Sequence, residues 1–492
     1  MGKKLYLSGS ERDFFSLVNR AIIANPFSDE RIQLDLEIAH IPDSYPIEER
    51  TVKIIDAVSA HTQKMEKEGA KFTHYAGEDY ILVKNTFLFE FFLRFIDKFD
   101  QLILAQIEAG DRPIKVAFAH EAFSFLEKRG FMAEEIHRYF ALCYQLRRAF
   151  FFIYSNLVGR SPCMKELRKN LWNNVFTHDL GVYDHYLWNR MEDFSTLILG
   201  ETGTGKGTAA MAIGRSGFIP FNLQKEYFVQ SFTQSFVSLN LSQFPESLLE
   251  SELFGHKKGA FTGAIEDYKG VFSSCSPYGA IFLDEIGEVT IPVQIKLLRV
   301  LQERIFSPVG SHQKERFEGR VIAATNRPIQ EIRQKKVFRD DFFYRLCSDV
   351  IIVPTLKQRI QEDPDELNDL IDHTVTQMLR ESSQELIQLV LDVIGTQVGR
   401  KYAWPGNVRE LEQCVRRVLL KRSYEGDYKS TAPDLRAQLM EDMSNERLNA
   451  QEIIAGYCAL LYARYGTFEE VARKTNLDRR TVKKYINEWK KE

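Results

Sequence analysis

A glycine-rich segment, GETGTGKG (200–207), follows a short apolar run and has the composition of a phosphate-binding loop. Gly200, Gly203 and Gly205 allow backbone N–H groups to converge on phosphate oxygens, and the N-terminus of a following helix favours an anion. Lys206 would reach the β- and γ-phosphates. We therefore predict an ATP site here. The other loop residues assigned to it are Glu201, Thr202, Thr204, Gly207 and Thr208.

The Mg²⁺ ligand that accompanies the nucleotide is not fixed by this loop. The general pattern has a hydroxyl directly after the lysine, but Gly207 occupies that position and Thr208 follows. Thr208 is the candidate ligand in the loop, and the identity of the direct ligand stays open. A tight turn that binds no nucleotide is the alternative interpretation, which the strand–loop–helix context with Lys206 disfavours.

An acidic pair, Asp284-Glu285, ends the continuous apolar run Ala280–Leu283. The carboxyl edge of a buried parallel strand is where α/β proteins place their chemistry. We predict that Asp284 holds Mg²⁺, directly or through water, and that Glu285 orients and activates the attacking water. A capped strand end with a solvated acidic pair is the alternative, and the phosphate loop upstream makes it the weaker one.

The stretch GHKKGAFTGAIEDYKG (255–270) places Phe261 and Thr262 between pairs of small residues. Glycine removes side-chain restraint and tolerates positive φ, so the pattern predicts a flexible loop that presents this pair at its tip. A buried turn is the alternative, but a turn does not need an aromatic ring and a hydroxyl at its apex.

The C-terminal segment GTFEEVARKTNLDRRTVKKYINEWKKE (466–492) has the pattern of a helix-turn-helix. Residues 464–492 contain nine basic and five acidic residues, a local excess of four basic residues, in a chain whose net charge is −3. A basic recognition helix attracts phosphate and can reach base edges. We therefore predict binding to double-stranded DNA through Arg479, Arg480, Thr481, Lys483, Lys484 and Asn487. An ordinary helical hairpin with a solvated basic face is the alternative.

Composition places these segments in an ordinary globular chain of 492 residues, with 44% hydrophobic and 27% charged residues. We find no signal peptide, no uncharged apolar run long enough for a bilayer and no paired cysteine motif, and these features predict a cytoplasmic protein without a membrane partner. In the N-terminal part, KLYLSG and RIQLDLEIAH are candidate strands, and Phe87–Gly110 is predicted to form a helix.

Eight stretches between Val158 and Tyr424 resemble, in the same order, the sigma-54-dependent transcriptional activators, also called bacterial enhancer-binding proteins. They are VGRSPCMKEL, GETGTGKG, FPESLLESELFGHKKGAFTGA, GAIFLDEIGEV, QIKLLRVLQE, VIAATNRPI, FRDDFFYRL and WPGNVRELEQ. The resemblance implies an α/β AAA+ ATPase core with a helical lid. It further implies that this core follows a mixed, helix-rich regulatory domain and precedes a helix-turn-helix domain. The expected boundaries are 1–155, 156–424 with the lid at about 356–424, a linker at 425–443, and 444–492.

The resemblance also implies roles for individual residues. In the family, the residue at the position of Asn240 pairs with the Walker B glutamate, here Glu285, according to nucleotide state. Asn326 would be the polar sensor near the γ-phosphate, and Arg409 the sensor arginine of the lid. Arg339 and Arg345 match arginines that act in a neighbouring subunit's site.

Such arginines imply self-association into a ring, in the family usually a hexamer. The family binds sigma-54 RNA polymerase through the loop that here comprises Gly259, Ala260, Phe261, Thr262, Gly263 and Ala264. Its helix-turn-helix binds an upstream DNA site as a dimer, and the helix before it (451–466) could supply that interface.

The first 155 residues contain no receiver pattern, and the sequence does not identify the signal, the direction of control or the promoter. Two other function classes compete with a transcription activator. A DNA-binding repressor with an AAA+ fold should have lost the 259–264 loop or Glu285, and both are present. A general AAA+ unfoldase would not end in a helix-turn-helix. The sequence therefore favours an ATP-hydrolysing transcription activator.

Overall fold

The protein is described by a computed structural model that covers residues 4–399, 402–426, 439–440, 442–443 and 447–489. The chain divides into two compact units, residues 1–422 and 423–492. Most of the predicted linker 425–443 lies outside the described residues. Among the helices that the structure describes, none is both long enough and apolar enough to cross a bilayer.

The N-terminal part of the first unit is helical. Its helices are α1 (Gly9–Ile23), α2 (Asp29–Ala39), α3 (Ile47–Lys67), α4 (Glu78–Arg94), α5 (Ile96–Ala109), α6 (Ala119–Lys128) and α7 (Ala133–Asn156). Large aromatic side chains fill the core, and many of them are fully buried. The predicted helix Phe87–Gly110 is interrupted at Phe95 (φ −104°, ψ 7°), which separates α4 from α5.

The two strands predicted in this part are wrong. RIQLDLEIAH lies in α2, whose first turn is capped by the Ser28 hydroxyl as it accepts from the Arg31 N–H. Leu34, Leu36 and Ile38 alternate as in a strand, yet all three are buried, because the helix packs between α1 and α3. In KLYLSG, only Leu5 forms an isolated bridge, with Tyr75.

A five-stranded parallel sheet forms the centre of the predicted AAA+ core. Its strands are β1 (Thr196–Leu199), β4 (Phe236–Asn240), β5 (Ala280–Asp284), β8 (Arg320–Thr325) and β9 (Asp349–Ile352). They lie in the order β4-β5-β8-β1-β9. Every residue of β1 and β8 is buried, as expected for inner strands covered on both faces. This arrangement confirms the predicted α/β core.

Two short hairpins and a set of helices complete this part. The hairpins are β2 (Phe221–Asn222) with β3 (Tyr227–Phe228), and β6 (Ile305–Phe306) with β7 (Glu315–Arg316). The helices are α8 (Pro162–Phe176), α9 (Leu180–Val182), α10 (Lys206–Gly214), α11 (Glu246–Phe254), α12 (Val271–Ser274), α13 (Ile291–Glu303), α14 (Ile329–Gln334), α15 (Asp340–Leu346), α16 (Leu356–Glu362), α17 (Glu366–Leu379), α18 (Gln384–Val393) and α19 (Asn407–Lys421).

The β2–β3 hairpin packs into the N-terminal helices. The Phe221 ring meets Phe140 edge-on at 5.0 Å between centroids, and Phe228 stacks on Tyr144 of α7 at 4.2 Å. The Val116 N–H donates to the Glu226 carbonyl beside the hairpin (2.9 Å). One continuous apolar cluster therefore joins the N-terminal helices to the ATPase sheet.

The described part of the second unit includes α20 (Ala450–Tyr465), α21 (Phe468–Thr475) and α22 (Arg479–Trp489). Cys458, Leu461, Val471, Val482 and Ile486 form its small core. The left-handed residue Asn476 (φ 56°) ends α21 and starts the turn. The helix-turn-helix pattern of the sequence is thus present as two short helices packed on a third.

Candidate functional site

The phosphate loop connects β1 to α10 with two glycines at positive φ. Gly203 has φ 82° and Gly205 has φ 101°, conformations that glycine adopts without strain. A Cβ on Gly203 would lie 2.2 Å from the Gly406 carbonyl oxygen, whereas one on Gly205 would meet nothing within 4 Å. The missing side chain of Gly203 therefore permits the lid to approach the loop closely. At Gly205, no atom lies within 4 Å of where a Cβ would be, so space is left beside the loop.

Lys206 begins α10, and its side chain is buried over the loop. Its ammonium donates to the carbonyl oxygens of Gly200 (2.9 Å) and Glu201 (3.0 Å). Burial lowers the pKa of Lys206, and the charges of Glu285 and Asp284 oppose that shift. The first N–H groups of a helix have no partner within it, so the start of α10 and Lys206 together form an anion site.

The acidic pair lies at the carboxyl end of β5, as predicted. The Glu285 N–H donates to Asp284 Oδ1 (3.0 Å), and Glu285 adopts a left-handed backbone (φ 56°). Burial, followed by the neighbouring charge of Asp284, raises the pKa of the Glu285 carboxyl. A desolvated carboxylate held near Lys206 suits a general base better than a solvated surface acid does.

Asn240 and Asn326 end the strands on either side of β5. Asn240 is paired in register with Asp284, but its side-chain oxygen accepts from the Ser242 hydroxyl (2.7 Å) and N–H. No hydrogen bond joins Asn240 to Glu285 among the described contacts, so the predicted pair is not formed in this conformation. The Asn326 amide lies 3.4 Å from the Thr202 hydroxyl, which links β8 to the phosphate loop.

The lid contacts the same loop through the start of α19. The Arg409 N–H donates to the Gly203 carbonyl (3.3 Å), and the charge of Arg409 contributes to the lowered pKa of Lys206. Arg409 therefore lies beside the phosphate site, where the resemblance places it.

Asn407 is a site residue that the sequence reasoning missed. Its amide donates to Glu201 Oε2 and to the Thr202 carbonyl (both 3.1 Å), and its Oδ1 accepts from the Leu356 N–H (2.8 Å). It holds the lid to the loop from a left-handed backbone (φ 54°). The sequence feature that could have identified Asn407 is its position directly after the glycine in WPGNVRE, because asparagine tolerates the positive φ expected in such a turn.

The donor set fits Mg²⁺ bound together with a nucleotide. Mg²⁺ is commonly held by one or two carboxylates, substrate phosphates and waters, and Asp284, at the carboxyl end of β5, would supply a carboxylate. No cluster of three acidic, histidine or cysteine side chains suited to a metal occurs in the described residues, so phosphate oxygens and water would complete the shell. Thr208 is half-buried one position beyond Gly207 in α10, and its ligand role stays a prediction.

Arg339 and Arg345 lie at the two ends of α15. The exposed Arg339 pairs with Asp341 (2.9 Å). Arg345 is half-buried, and its Nε donates to the Leu301 carbonyl (2.9 Å). In their described contacts, neither guanidinium bonds to this chain's own phosphate loop, and their action in another subunit's site stays a prediction.

Backbone hydrogen bonds hold the base of the loop Gly259–Ala264. His256 pairs with Tyr268 through both backbone hydrogen bonds, and Lys257 N–H donates to the Val309 carbonyl. The Gly259 N–H closes the loop on the Ala264 carbonyl (2.8 Å). This base holds the loop in place, while its tip makes few contacts.

The sequence predicts that the loop presents both Phe261 and Thr262 at its tip, and the structure agrees only for Thr262. Thr262 is exposed, whereas the Phe261 ring packs against His256 at 4.9 Å. Ile265, which the sequence reasoning did not single out, is 80% exposed. Gly259 and Gly263 have positive φ, and a Cβ on either would meet nothing within 4 Å, so the loop has room to move.

The basic side chains of α22 face outward. Arg479, Arg480, Lys483, Lys484 and Asn487 are exposed, and Thr481 is half-buried. Val482 and Ile486 occupy the opposite face in the core. On α20, Ile454 and Tyr457 are exposed, and the dimer surface on this helix stays a prediction.

Comparison with known proteins agrees with this geometry. Residues 185–352 match the family model described as the Sigma-54 interaction domain. The match includes the phosphate loop, the acidic pair, the 259–264 loop, Asn326 and the two arginines of α15. It confirms the resemblance to sigma-54-dependent activators.

Similar curated proteins include the Regulatory protein AtoC of Escherichia coli (strain K12), 40% identical over 229 residues, which are 46% of this chain and 46% of that protein. The DNA-binding transcriptional regulator NtrC of Azospirillum brasilense is 35% identical over 302 residues, 60% of this chain and 55% of that protein. The Nitrogen fixation protein VnfA of Azotobacter vinelandii is 41% identical over 266 residues, 54% of this chain and 44% of that protein. The chain thus spans about half the length of the curated relatives it matches.

Proposed function

We propose that this chain, which carries a sigma-54 interaction domain over residues 185–352, is an ATP-driven activator of transcription by sigma-54 RNA polymerase. The observation that carries the proposal is that one domain holds both a glycine-rich loop with Lys206 beside the half-buried Glu285 and a second loop, Gly259–Ala264, whose Thr262 is exposed. A DNA-binding activator works on polymerase and chromosome, which places its action in the cytoplasm.

The proposed chemistry is hydrolysis of the γ-phosphate of ATP. Lys206 and the N–H groups at the start of α10 bind the phosphates, and Asp284 would hold Mg²⁺, which would neutralise phosphate charge. Glu285 orients the attacking water and accepts its proton. Asn326 and Arg409 lie where they can respond to the γ-phosphate.

We propose that a change at the γ-phosphate reaches the Gly259–Ala264 loop through the residues between β4 and that loop. Asn240 ends β4 beside Asp284. Helix α11 follows and leads to the backbone hydrogen bonds of His256 and Lys257 at the base of the loop. A change at the γ-phosphate that releases Asn240 from Ser242 lets it pair with Glu285 and shifts this segment. The loop would then change its exposure toward sigma-54.

The ring is tested by mixing two inactive variants. Lys206→Ala removes the phosphate site but keeps the arginines, and Arg345→Ala does the reverse. If Arg345 acts in the neighbouring site, some mixed interfaces contain both functions, and the mixture regains ATPase activity that neither variant has alone. A trans arginine contributes about 10³–10⁵ in rate, so steady-state hydrolysis by the mixture resolves the effect. A mixture no more active than its components would contradict action in trans.

DNA binding is tested on α22. We expect the double variant Lys483→Ala/Lys484→Ala to weaken binding to a duplex containing the upstream site, and to reduce the slope of log K against log salt by about one for each phosphate that is no longer neutralised. Fluorescence anisotropy at several salt concentrations measures both quantities. Arg473→Ala, an exposed arginine on α21 that pairs with Glu470, is the control. Equal slopes in the double variant and wild type would remove α22 from the DNA interface.

Transcription itself tests the whole proposal. Purified protein, sigma-54 polymerase and a supercoiled template with an upstream site should yield single-round transcripts with ATP and none with ADP. Transcripts that form equally with ADP would exclude an ATP-driven activator.

A further inference from the structure

A cavity of about 820 Å³ lies between the N-terminal helices and the approach to the ATPase sheet. Helices α1 to α5 and α7 form most of its wall, and Trp172 of α8 and residues 179–186 close one side. Its size is within the range of small-molecule sites. No residue assigned to ATP, DNA or sigma-54 lines it.

The wall is mainly apolar and aromatic. Phe89, Phe92, Phe150 and Trp172 all contribute to it. Both arginines of the wall are already paired, because Arg31 bonds Asp35 (2.8 Å) and Arg147 bonds Asp100 outside the cavity (2.7 Å). Of the other acids in the wall, Asp184 pairs with Arg138 (3.1 Å) and Asp179 accepts from the Gly181 and Val182 N–H groups, while His185 is exposed. An anionic ligand buried among the aromatic rings would therefore be desolvated without an unpaired arginine beside it, which is unfavourable.

A neutral polar pair in the wall is available for a ligand. The Asn85 amide donates to Asn19 Oδ1 (2.6 Å), and each amide still has capacity for another hydrogen bond. Thr51, Tyr139 and Tyr186 add neutral hydroxyl groups to the lining. Aromatic walls with a few neutral polar groups suit a neutral, mainly apolar aromatic molecule.

The same wall is connected to the phosphate-loop helix. Leu142, Leu146 and Phe150 of α7 face the cavity, while Gln145 and Arg148 lie on the opposite side of that helix. The Gln145 amide donates to the Ser216 carbonyl (2.9 Å), and Arg148 donates to the Arg215 carbonyl (2.9 Å) and the Gly217 carbonyl (2.7 Å). These carbonyls directly follow α10. A buried cation at this end of α10 also complements the helix dipole.

A second connection runs through the segment 179–186. Val182, Asp184 and His185 line the cavity, and Tyr183 between them is fully buried. The Tyr183 hydroxyl donates to Gln145 Oε1 (3.0 Å). Gln145 therefore joins both walls of the cavity to the end of the phosphate-loop helix.

We propose that this cavity binds a neutral, mainly apolar aromatic molecule and that α7 transmits its occupancy to the phosphate loop through Gln145 and Arg148. The transmission half rests on the proposed ATPase function, whereas the binding half does not. A direct physical network of this kind can carry coupling between two sites.

Binding is tested with prodan, a neutral naphthalene ketone whose fluorescence reports an apolar environment. We expect saturable binding to the full chain, and at least about tenfold weaker binding of the anionic probe anilinonaphthalene sulfonate, a difference of about 1.4 kcal/mol. Ile23→Trp and Ile81→Trp fill the mouth at partly exposed wall positions (39% and 54% exposed) and should weaken prodan about tenfold. Leu104→Trp, exposed on α5 outside the cavity, should leave it unchanged.

Several results would overturn the binding half. They are the absence of saturable prodan binding, equal binding of the sulfonate, or mouth variants that bind like Leu104→Trp while keeping the wild-type thermal transition. Because none of these readouts uses ATP or polymerase, they stand even if the proposed function fails.

The transmission half is tested with Gln145→Met, which keeps the shape and removes both hydrogen bonds. Saturating prodan should change the ATPase rate of the wild-type protein by at least about twofold, and this response should vanish in the variant while its prodan affinity is retained. A wild-type rate indifferent to bound prodan, or an equal response in Gln145→Met, would exclude the relay.

Discussion

Replacing Glu285 with Gln is expected to lower ATP hydrolysis by about 10²–10⁴-fold, the usual contribution of a general base. The amide keeps the shape of the side chain but cannot accept a proton from water. Burial and Asp284 already raise the pKa of this carboxyl, and an uncharged replacement removes one like charge from beside Asp284. The local fold and nucleotide binding should therefore persist.

Steady-state phosphate release and equilibrium binding of a fluorescent ATP analogue separate the two effects. The variant should bind the analogue within about threefold of wild type, since the lost interaction belongs to the transition state. Glu303→Gln, an exposed acid that pairs with Arg299, is the matched control and should hydrolyse ATP normally. Hydrolysis within tenfold of wild type in Glu285→Gln would give the base role to another group.

Replacing Thr262 with Ala is expected to lower promoter opening by at least about tenfold while ATP hydrolysis stays within about twofold. Thr262 is exposed at the tip of the loop, so its loss leaves no unpaired group in the fold. A residue central to an interface typically costs about 2 kcal/mol or more when truncated, and about 1.4 kcal/mol is already a tenfold change.

Thr396→Ala provides the matched control, because Thr396 is an exposed threonine of the lid. Both variants are compared by single-round transcription and by phosphate release. A Thr262→Ala protein that opens the promoter as well as Thr396→Ala would remove the hydroxyl from the sigma-54 contact.

The sequence was most informative where backbone and charge requirements are strict. Gly203 must have positive φ beneath the Gly406 carbonyl, and Lys206 and Asp284 must meet at one edge of the sheet. Such requirements can be met only by particular residue types at particular spacings, which are visible in the sequence. The connection between β1 and α10 and the acidic pair at the end of β5 were both predicted from such patterns.

The N-terminal helices were harder to predict. In α2, the helix is buried on two sides, so Leu34, Leu36 and Ile38 alternate as they would in a strand. The β2–β3 hairpin could not be placed from the sequence, because its aromatic partners on α7 are distant along the chain. Asn407 was missed for a similar reason, since its contacts with the phosphate loop lie more than 200 residues upstream.

Asn240 illustrates a third limit. Its predicted partner is Glu285, and in this conformation it bonds Ser242 instead. A residue that exchanges partners with nucleotide state has no single partner for a sequence pattern to specify.

Permanganate reactivity of a supercoiled promoter tests the central claim most directly. The full chain is incubated with ATP and with polymerase that carries either sigma-54 or the main vegetative sigma factor. The account predicts melted thymines only with the sigma-54 enzyme and only with hydrolysable ATP. Melting without ATP, or no melting with sigma-54 polymerase while the protein hydrolyses ATP, would contradict it.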